Sequence, residues 1–233
     1  MSPESTRPGN EHRAGSTTRR RIGLLGGTFD PIHVGHLALA RAAREALRLD
    51  ELRFVPTGQS WQKHGSEVDA AARLDMVRLA VGSTPGFAVD DREVRRAGPS
   101  YTIDTLIELR AELGPEPALV LVLGSDQLRN LATWHRYREL LLHAHIAATR
   151  RGTHPLADLD PPVEALLAAH GRDALPDAPS GAIVYFTMPP VPVSGTALRE
   201  RLARGERPAE LLPPAVLDYI ERHRLYRAGA ASP

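Results

Sequence analysis

Six short apolar runs punctuate the chain, at residues 22–25, 52–55, 87–89, 118–123, 146–148 and 182–187. Between and after them, apolar positions recur at helical spacing over 32–49, 68–81, 101–113, 127–142, 197–203 and 213–223. Short strands without polar alternation are buried on both faces, and strands that alternate with amphipathic helices pair in parallel. The pattern therefore predicts an α/β fold: a doubly wound parallel sheet ending in a small C-terminal helical portion. The stretch 152–181, rich in Pro, Asp and Ala, reads as a surface excursion. No linker splits the chain, so one domain is expected over 21–227, with tails at 1–20 and 228–233.

In such sheets ligands collect beyond the carboxyl ends of the strands, where the strand order reverses. Three motifs follow strands directly and are expected at that edge. The first is Gly26-Gly27-Thr28-Phe29-Asp30-Pro31-Ile32-His33-Val34-Gly35-His36-Leu37. Glycines at 26 and 27 allow a sharp turn and close approach of a phosphate to backbone N–H groups. Asp30 and Pro31 read as the N-cap and first position of a helix. His33 and His36 then share one helical face, and Gly35 removes bulk beside them. Helix-end N–H groups, the positive end of the helix dipole and two imidazoles address one volume, which suits a polyphosphate. The second motif is Gly124-Ser125-Asp126, where Asp126 also reads as a helix-terminal residue, and the third is Ser194 to Arg199.

Other phosphate loops are absent: there is no Gly-x-x-x-x-Gly-Lys-Ser/Thr, and no Gly-x-Gly-x-x-Gly follows the first strand. Two histidines without a nearby third ligand do not make a zinc site, so no protein-held metal is expected. His143, His145, His154, His170 and His223 lack comparable context and read as surface or structural residues.

Composition narrows the classes. The 233 residues contain no cysteine, which excludes disulfides and thiolate chemistry. The formal charge of +1 comes from the first 21 residues, with five arginines and two glutamates; the remainder carries 24 basic and 26 acidic side chains. A near-neutral body gives no footprint for nucleic acid. No apolar run approaches the roughly 18–20 residues of a membrane span, and the start lacks the apolar core of a secretory signal. A cytoplasmic protein is expected, and self-association is left open. Lys63 is the only lysine beside 28 arginines, so it marks a place where a compact ammonium charge is a candidate for function.

The first motif resembles the Gly-Gly-Thr-Phe-Asp-Pro-x-His-x-Gly-His-Leu signature of the nucleotidylyltransferase superfamily. Within it the chain is similar to bacterial nicotinate-nucleotide adenylyltransferases, over about 21–227, excluding 152–181. Their second signature, Ile-Ser-Ser-Thr-x-Ile-Arg, reads here Val193-Ser194-Gly195-Thr196-Ala197-Leu198-Arg199, with Gly195 in place of a serine. The resemblance implies a Rossmann-like nucleotidylyltransferase fold that joins ATP to nicotinic acid mononucleotide, releasing pyrophosphate. It implies ATP binding by Gly26, Gly27, Thr28, Phe29, His33, His36, Gly124, Asp126, Ser194, Thr196 and Arg199. Catalysis would rest on His33, His36 and Arg199, with Mg²⁺ held mainly by the ATP phosphates. On the acceptor side it implies Lys63 for the nucleotide phosphate and Thr102 for the pyridine carboxylate through backbone amides. Trp134, in the segment that includes His135, would stack on the ring.

Competing readings are adenylyl transfer to nicotinamide mononucleotide or phosphopantetheine, a fragment related to class I aminoacyl-tRNA synthetases, and a catalytically silent nucleotide-binding scaffold. The pyridine-side segments favour the first acceptor. The absence of an anticodon-type extension and the retained His33, His36 and Arg199 disfavour the last two.

Overall fold

In the computed structural model, residues 19–59, 68–150 and 159–227 are described. Six strands form one sheet: β1 (Arg21–Gly27), β2 (Glu51–Pro56), β3 (Phe87–Val89), β4 (Ala118–Leu123), β5 (His145–Arg150) and β6 (Ile183–Thr187). Their order is β3-β2-β1-β4-β5-β6, and every pairing is parallel. Each predicted strand is present within two residues at either end. The sheet is the doubly wound arrangement expected of short apolar strands that alternate with helices.

Helices cover both faces. On one lie α1 (Val34–Leu47), α2 (Ala70–Val81), α8 (Gly195–Ala203) and α9 (Pro214–Arg222); on the other lie α4 (Thr102–Leu113), α5 (Ser125–Arg129), α6 (Leu140–His143) and α7 (Pro161–His170). A short α3 (Arg92–Arg95) follows β3. β4 shows how one strand serves both cores. Val120 and Val122 pack with α1 and α2, while Leu119, Leu121 and Leu123 pack with α4 and α6. Fully burying each such side chain contributes roughly 1.5–3 kcal/mol, so neither face of β4 tolerates a polar residue.

Two expectations fail. The predicted helix over 127–142 is broken into α5, two 3₁₀ turns at Leu131–Thr133 and Tyr137–Glu139, and α6. The backbone of Arg136, left-handed at φ 52, turns the chain there. The supposed excursion 152–181 contains α7, whose Val163 is fully buried against the sheet. Pro161 and Pro162 open this helix, where a missing N–H costs nothing.

The amino ends of the strands are tied together by side chains donating to backbone. Arg110 donates to the carbonyls of His143, Pro117 and Pro179 at 2.9, 2.7 and 2.7 Å. His145, fully buried, has Nε2 2.8 Å from the Ala178 carbonyl, and its Nδ1 accepts from Ala182 N–H at 3.1 Å. That pattern fixes the neutral tautomer with its proton on Nε2. Among the described residues, no helix is long and apolar enough to cross a membrane.

Burial holds the His145 pKa below its ordinary value. The unfolded chain therefore binds the proton more readily, with a pKa of about 6.5. Its share of stability is present above that pH and is lost as pH falls through 6.5 toward the folded value. Urea midpoints measured from pH 7.5 to 5 should fall less steeply for His145→Gln than for the wild type. Equal slopes would show that His145 does not carry this linkage.

Candidate active site

β1 and β4 are neighbours, yet the helices that follow them leave on opposite faces: α1 on one, α5 on the other. Between their carboxyl ends opens a cavity of about 600 Å³. Gly26, Gly27, Thr28, Phe29, His33, His36, Thr102, Gly124, Asp126, Trp134, Ser194, Thr196 and Arg199 all line it. The three motifs after strands thus meet at one edge.

The geometry of the first motif differs from the sequence reading. Gly26 and Gly27 are the last residues of β1 and have no left-handed backbone. What they supply is room: a Cβ on Gly26 would meet nothing within 4 Å, and one on Gly27 would press on the Phe29 ring at 3.0 Å. The turn itself is made by Phe29, a non-glycine residue at φ 50, held by burial of its ring. Nor do Asp30 and Pro31 cap the helix. His33 is the N-cap and α1 starts at Val34. The Val34 N–H is already taken by the Leu211 carbonyl at 3.0 Å, so the helix start is partly satisfied from within. Asp30 instead accepts from the Tyr226 hydroxyl at 2.6 Å, which ties the C-terminal segment to the turn.

His33 and His36 lie face to face, with ring centroids 3.7 Å apart and planes inclined by 18°. His36 Nδ1 accepts the backbone N–H of His33 at 3.2 Å, as an N3 side chain reaches back in a capping box. Its proton is therefore assigned to Nε2. Phe29 meets the His36 ring edge-on at 5.0 Å. His33 is 8 % exposed, and its Nδ1 is buried with no hydrogen-bond partner among the described residues. Burial pushes its pKa down to about 4. At neutral pH His33 is thus a neutral ring, able to donate from one nitrogen. Gly35 is required for this stack, because a Cβ there would overlap Val193 and touch the His33 ring.

The C-terminal motif arrives on α8. Ser194 is its N-cap, accepting from Ala197 N–H at 3.5 Å. Arg199 reaches across to the Asp30 carbonyl at 2.9 Å and lies 3.5 Å from the Thr196 hydroxyl. Gly195 leaves the Arg199 guanidinium ordinary contact at 3.5 Å from where a Cβ would stand. At the mouth Asp126 is exposed and pairs with Arg129 at 2.9 Å.

The opposite wall starts at α4. Tyr101 is its N-cap and Thr102 its first residue, which lines the cavity, so the positive helix end lies at this wall; Asp104 and Thr105 N–H already donate to the Tyr101 carbonyl at 3.1 and 3.3 Å. Trp134, half-buried, follows the first 3₁₀ turn and completes this wall. His135 does not belong to it. Its ring leans on Tyr101 at 4.4 Å, exposed and outside the cavity lining. Lys63 lies outside the described residues.

Sequence reading passed over two buried charges next to the cavity. Glu93 of α3, 7 % exposed, lines the cavity and accepts from the Thr105 hydroxyl at 2.7 Å. Burial raises its pKa, against the Thr105 hydrogen bond and Arg96. Its signal in the sequence, a charged run from Asp90 to Arg96, looks like a solvated loop. The other is Arg73 of α2, 2 % exposed, beneath the turn.

By sequence, residues 24–201 match the family described as Cytidylyltransferase-like. A relative from Pseudomonas entomophila strain L48, named "Probable nicotinate-nucleotide adenylyltransferase", is 48 % identical over 213 residues, covering 90 % of this chain and 96 % of its own. One of the same name from Chromobacterium violaceum is 46 % identical over 209 residues, covering 89 % and 99 %. In fold, the chain superimposes on the Plasmodium falciparum nicotinic acid mononucleotide adenylyltransferase complexed with NaAD, with a TM-score of 0.67 at 20 % identity, over 89 % of this chain and 98 % of that one.

An oxyanion at the His33 ring would favour its protonated form. The ring's NMR titration midpoint, near 4 without ligand, should rise toward 6.5 when inorganic tripolyphosphate is added. An unmoved midpoint would mean that phosphate does not reach His33.

Proposed function

The chain belongs to the Cytidylyltransferase-like family, alongside relatives named for nicotinate-nucleotide adenylyl transfer, and from that premise we propose what its cavity does. It transfers the adenylyl group of ATP to nicotinic acid mononucleotide, yielding nicotinic acid adenine dinucleotide and pyrophosphate, a step of NAD biosynthesis in the cytoplasm. One observation carries this reading. The stacked His33–His36 pair with Arg199 stands on one wall of a single cavity, and the α4 amino end with Trp134 stands on the other. One wall suits a polyphosphate and the other suits an aromatic acid.

The acceptor phosphate is already anionic at neutral pH, so no strong base is needed. One of its oxygens attacks the α-phosphorus, and the bond from that phosphorus to the bridging β-oxygen breaks. Catalysis then rests on alignment and on stabilising charge along the triphosphate. His33 and His36 donate to α- and β-phosphate oxygens, and the Arg199 fork neutralises the β,γ portion. Backbone N–H groups of the first α4 turn, beginning at Thr102, receive the pyridine carboxylate, and Trp134 stacks on its ring. Gly124, Ser194 and Thr196 border the nucleoside.

Among the described residues no group of three or more His, Asp or Glu side chains converges to cage a metal. In this reading Mg²⁺ arrives on the ATP phosphates, with exposed Asp126 as the carboxylate near the mouth. When bound, the ion draws charge from the leaving pyrophosphate.

The reading is tested by ATP-dependent pyrophosphate release with nicotinic acid mononucleotide, nicotinamide mononucleotide and phosphopantetheine as acceptors. The first should react fastest. Silence with it, or faster reaction with phosphopantetheine, would overturn the reading. His36→Ala should lower kcat on the order of 10²–10³-fold, as for loss of one preorganised donor; near wild-type turnover would remove His36 from the mechanism. Lys63→Ala should raise KM for the nucleotide acceptor and leave that for ATP nearly unchanged. An effect on ATP alone would place Lys63 on the donor side.

A further inference from the structure

Arg73 sits on α2 among Leu74, Met76 and Val77, all buried. Packing alone would put an apolar residue there, since sinking a guanidinium costs several kcal/mol unless its N–H groups are matched. They are matched by backbone. Nη1 donates to the Thr28 carbonyl at 2.6 Å, Nη2 to the Gly58 carbonyl at 3.0 Å, and Nε to the Val68 carbonyl at 3.3 Å. These carbonyls belong to the turn after β1 and to the two ends of the connection from β2 to α2. Burial lowers the Arg73 pKa, and the Asp30, Tyr226 and Asp69 groups oppose that shift.

The two main segments adjoin the opposing walls of the cavity. Thr28 belongs to the turn that presents His33 and His36, and Asp30 of the same turn holds Arg199. Gly58 leads to the acceptor wall: Gln59 accepts from Ser100 N–H at 3.0 Å, and a Cβ on Gly58 would overlap the Glu93 carbonyl oxygen. Besides Arg73, the two loops share the hydrogen bond from Thr57 N–H to the Gly27 carbonyl at 2.9 Å.

Building on the adenylyl-transfer reading, we propose that Arg73 is a positioning residue that fixes the spacing between the donor wall and the acceptor wall. Its planar fork suits the task. Two nitrogens at fixed separation hold two carbonyls at fixed separation, which a lysine ammonium on a flexible stem does not reproduce. Each wall keeps its own binding groups without Arg73, but the attacking oxygen and the α-phosphorus lose alignment. A misplacement of about 1 Å costs on the order of 10²-fold in rate.

The test measures kcat, both KM values and Tm for Arg73→Ala, Arg73→Lys and Met76→Ala, with whichever acceptor the wild-type enzyme turns over. A wrong acceptor would then sink the functional reading without deciding the role of Arg73. Met76, one turn along α2 and outside the cavity lining, reports the effect of loosening the core alone. Arg73→Ala should lose about 10²-fold in kcat with both KM values within about threefold. Arg73→Lys should keep the fold and lie between, and methylguanidine should restore part of the lost kcat in Arg73→Ala. Met76→Ala should lower Tm and keep kcat. Wild-type kcat in Arg73→Lys and in a folded Arg73→Ala, a change confined to KM for ATP, or an equal kcat loss in Met76→Ala would each overturn the proposal. Should Arg73→Ala not fold, Arg73→Lys decides by the same kcat criterion.

Discussion

Two neighbouring parallel strands whose following helices leave on opposite faces cannot be sealed at their carboxyl ends. That constraint at β1 and β4 shapes the rest of this molecule. The chain must leave a crevice there, and the three motifs that follow strands are built around it. Strands with a hydrophobic core on each face keep the two edges of the crevice rigid, so loops of modest length can present side chains in fixed positions.

The crevice is lined by groups arranged to hold a ligand rather than to react with it. The chain has no cysteine. The imidazoles are stacked, and burial keeps His33 neutral in the absence of ligand. Arg199 is steered by a carbonyl of the turn it serves. Such a site lowers a barrier by orientation and by dipoles fixed before the substrate arrives. Burying His33 and Arg73 is costly in stability, and both groups border the turn after β1, where the proposed function gives that cost a use.

The layout of the sheet was legible in the sequence because buried parallel strands leave an unambiguous apolar signature. The site was legible where its residues are consecutive: Gly26 to His36, and Ser194 to Arg199. Legibility failed where distant segments decide the outcome. Nothing between Ser125 and Ala144 warns of a broken helix, for that stretch holds neither glycine nor proline, and Arg136 makes the turn. Asp30–Pro31 has the form of a helix start. The buried Phe29 ring and the Tyr226 hydroxyl hold that turn in another shape, and capping passes to His33. Arg73 looks like any arginine on a surface helix, because the carbonyls that draw it inward come from loops at Thr28, Gly58 and Val68. His135 follows Trp134 directly in sequence, yet its ring leans on Tyr101 outside the cavity lining.

The proposed reaction is one direct displacement between two aligned substrates, with no protein group bonded to the adenylyl unit along the way. The stereochemistry at phosphorus tests that most directly. With a single diastereomer of ATP carrying sulfur on the α-phosphorus, the dinucleotide product should show inverted configuration, as a single in-line attack demands. Retention would mean two successive displacements through an adenylylated side chain, and would contradict the account.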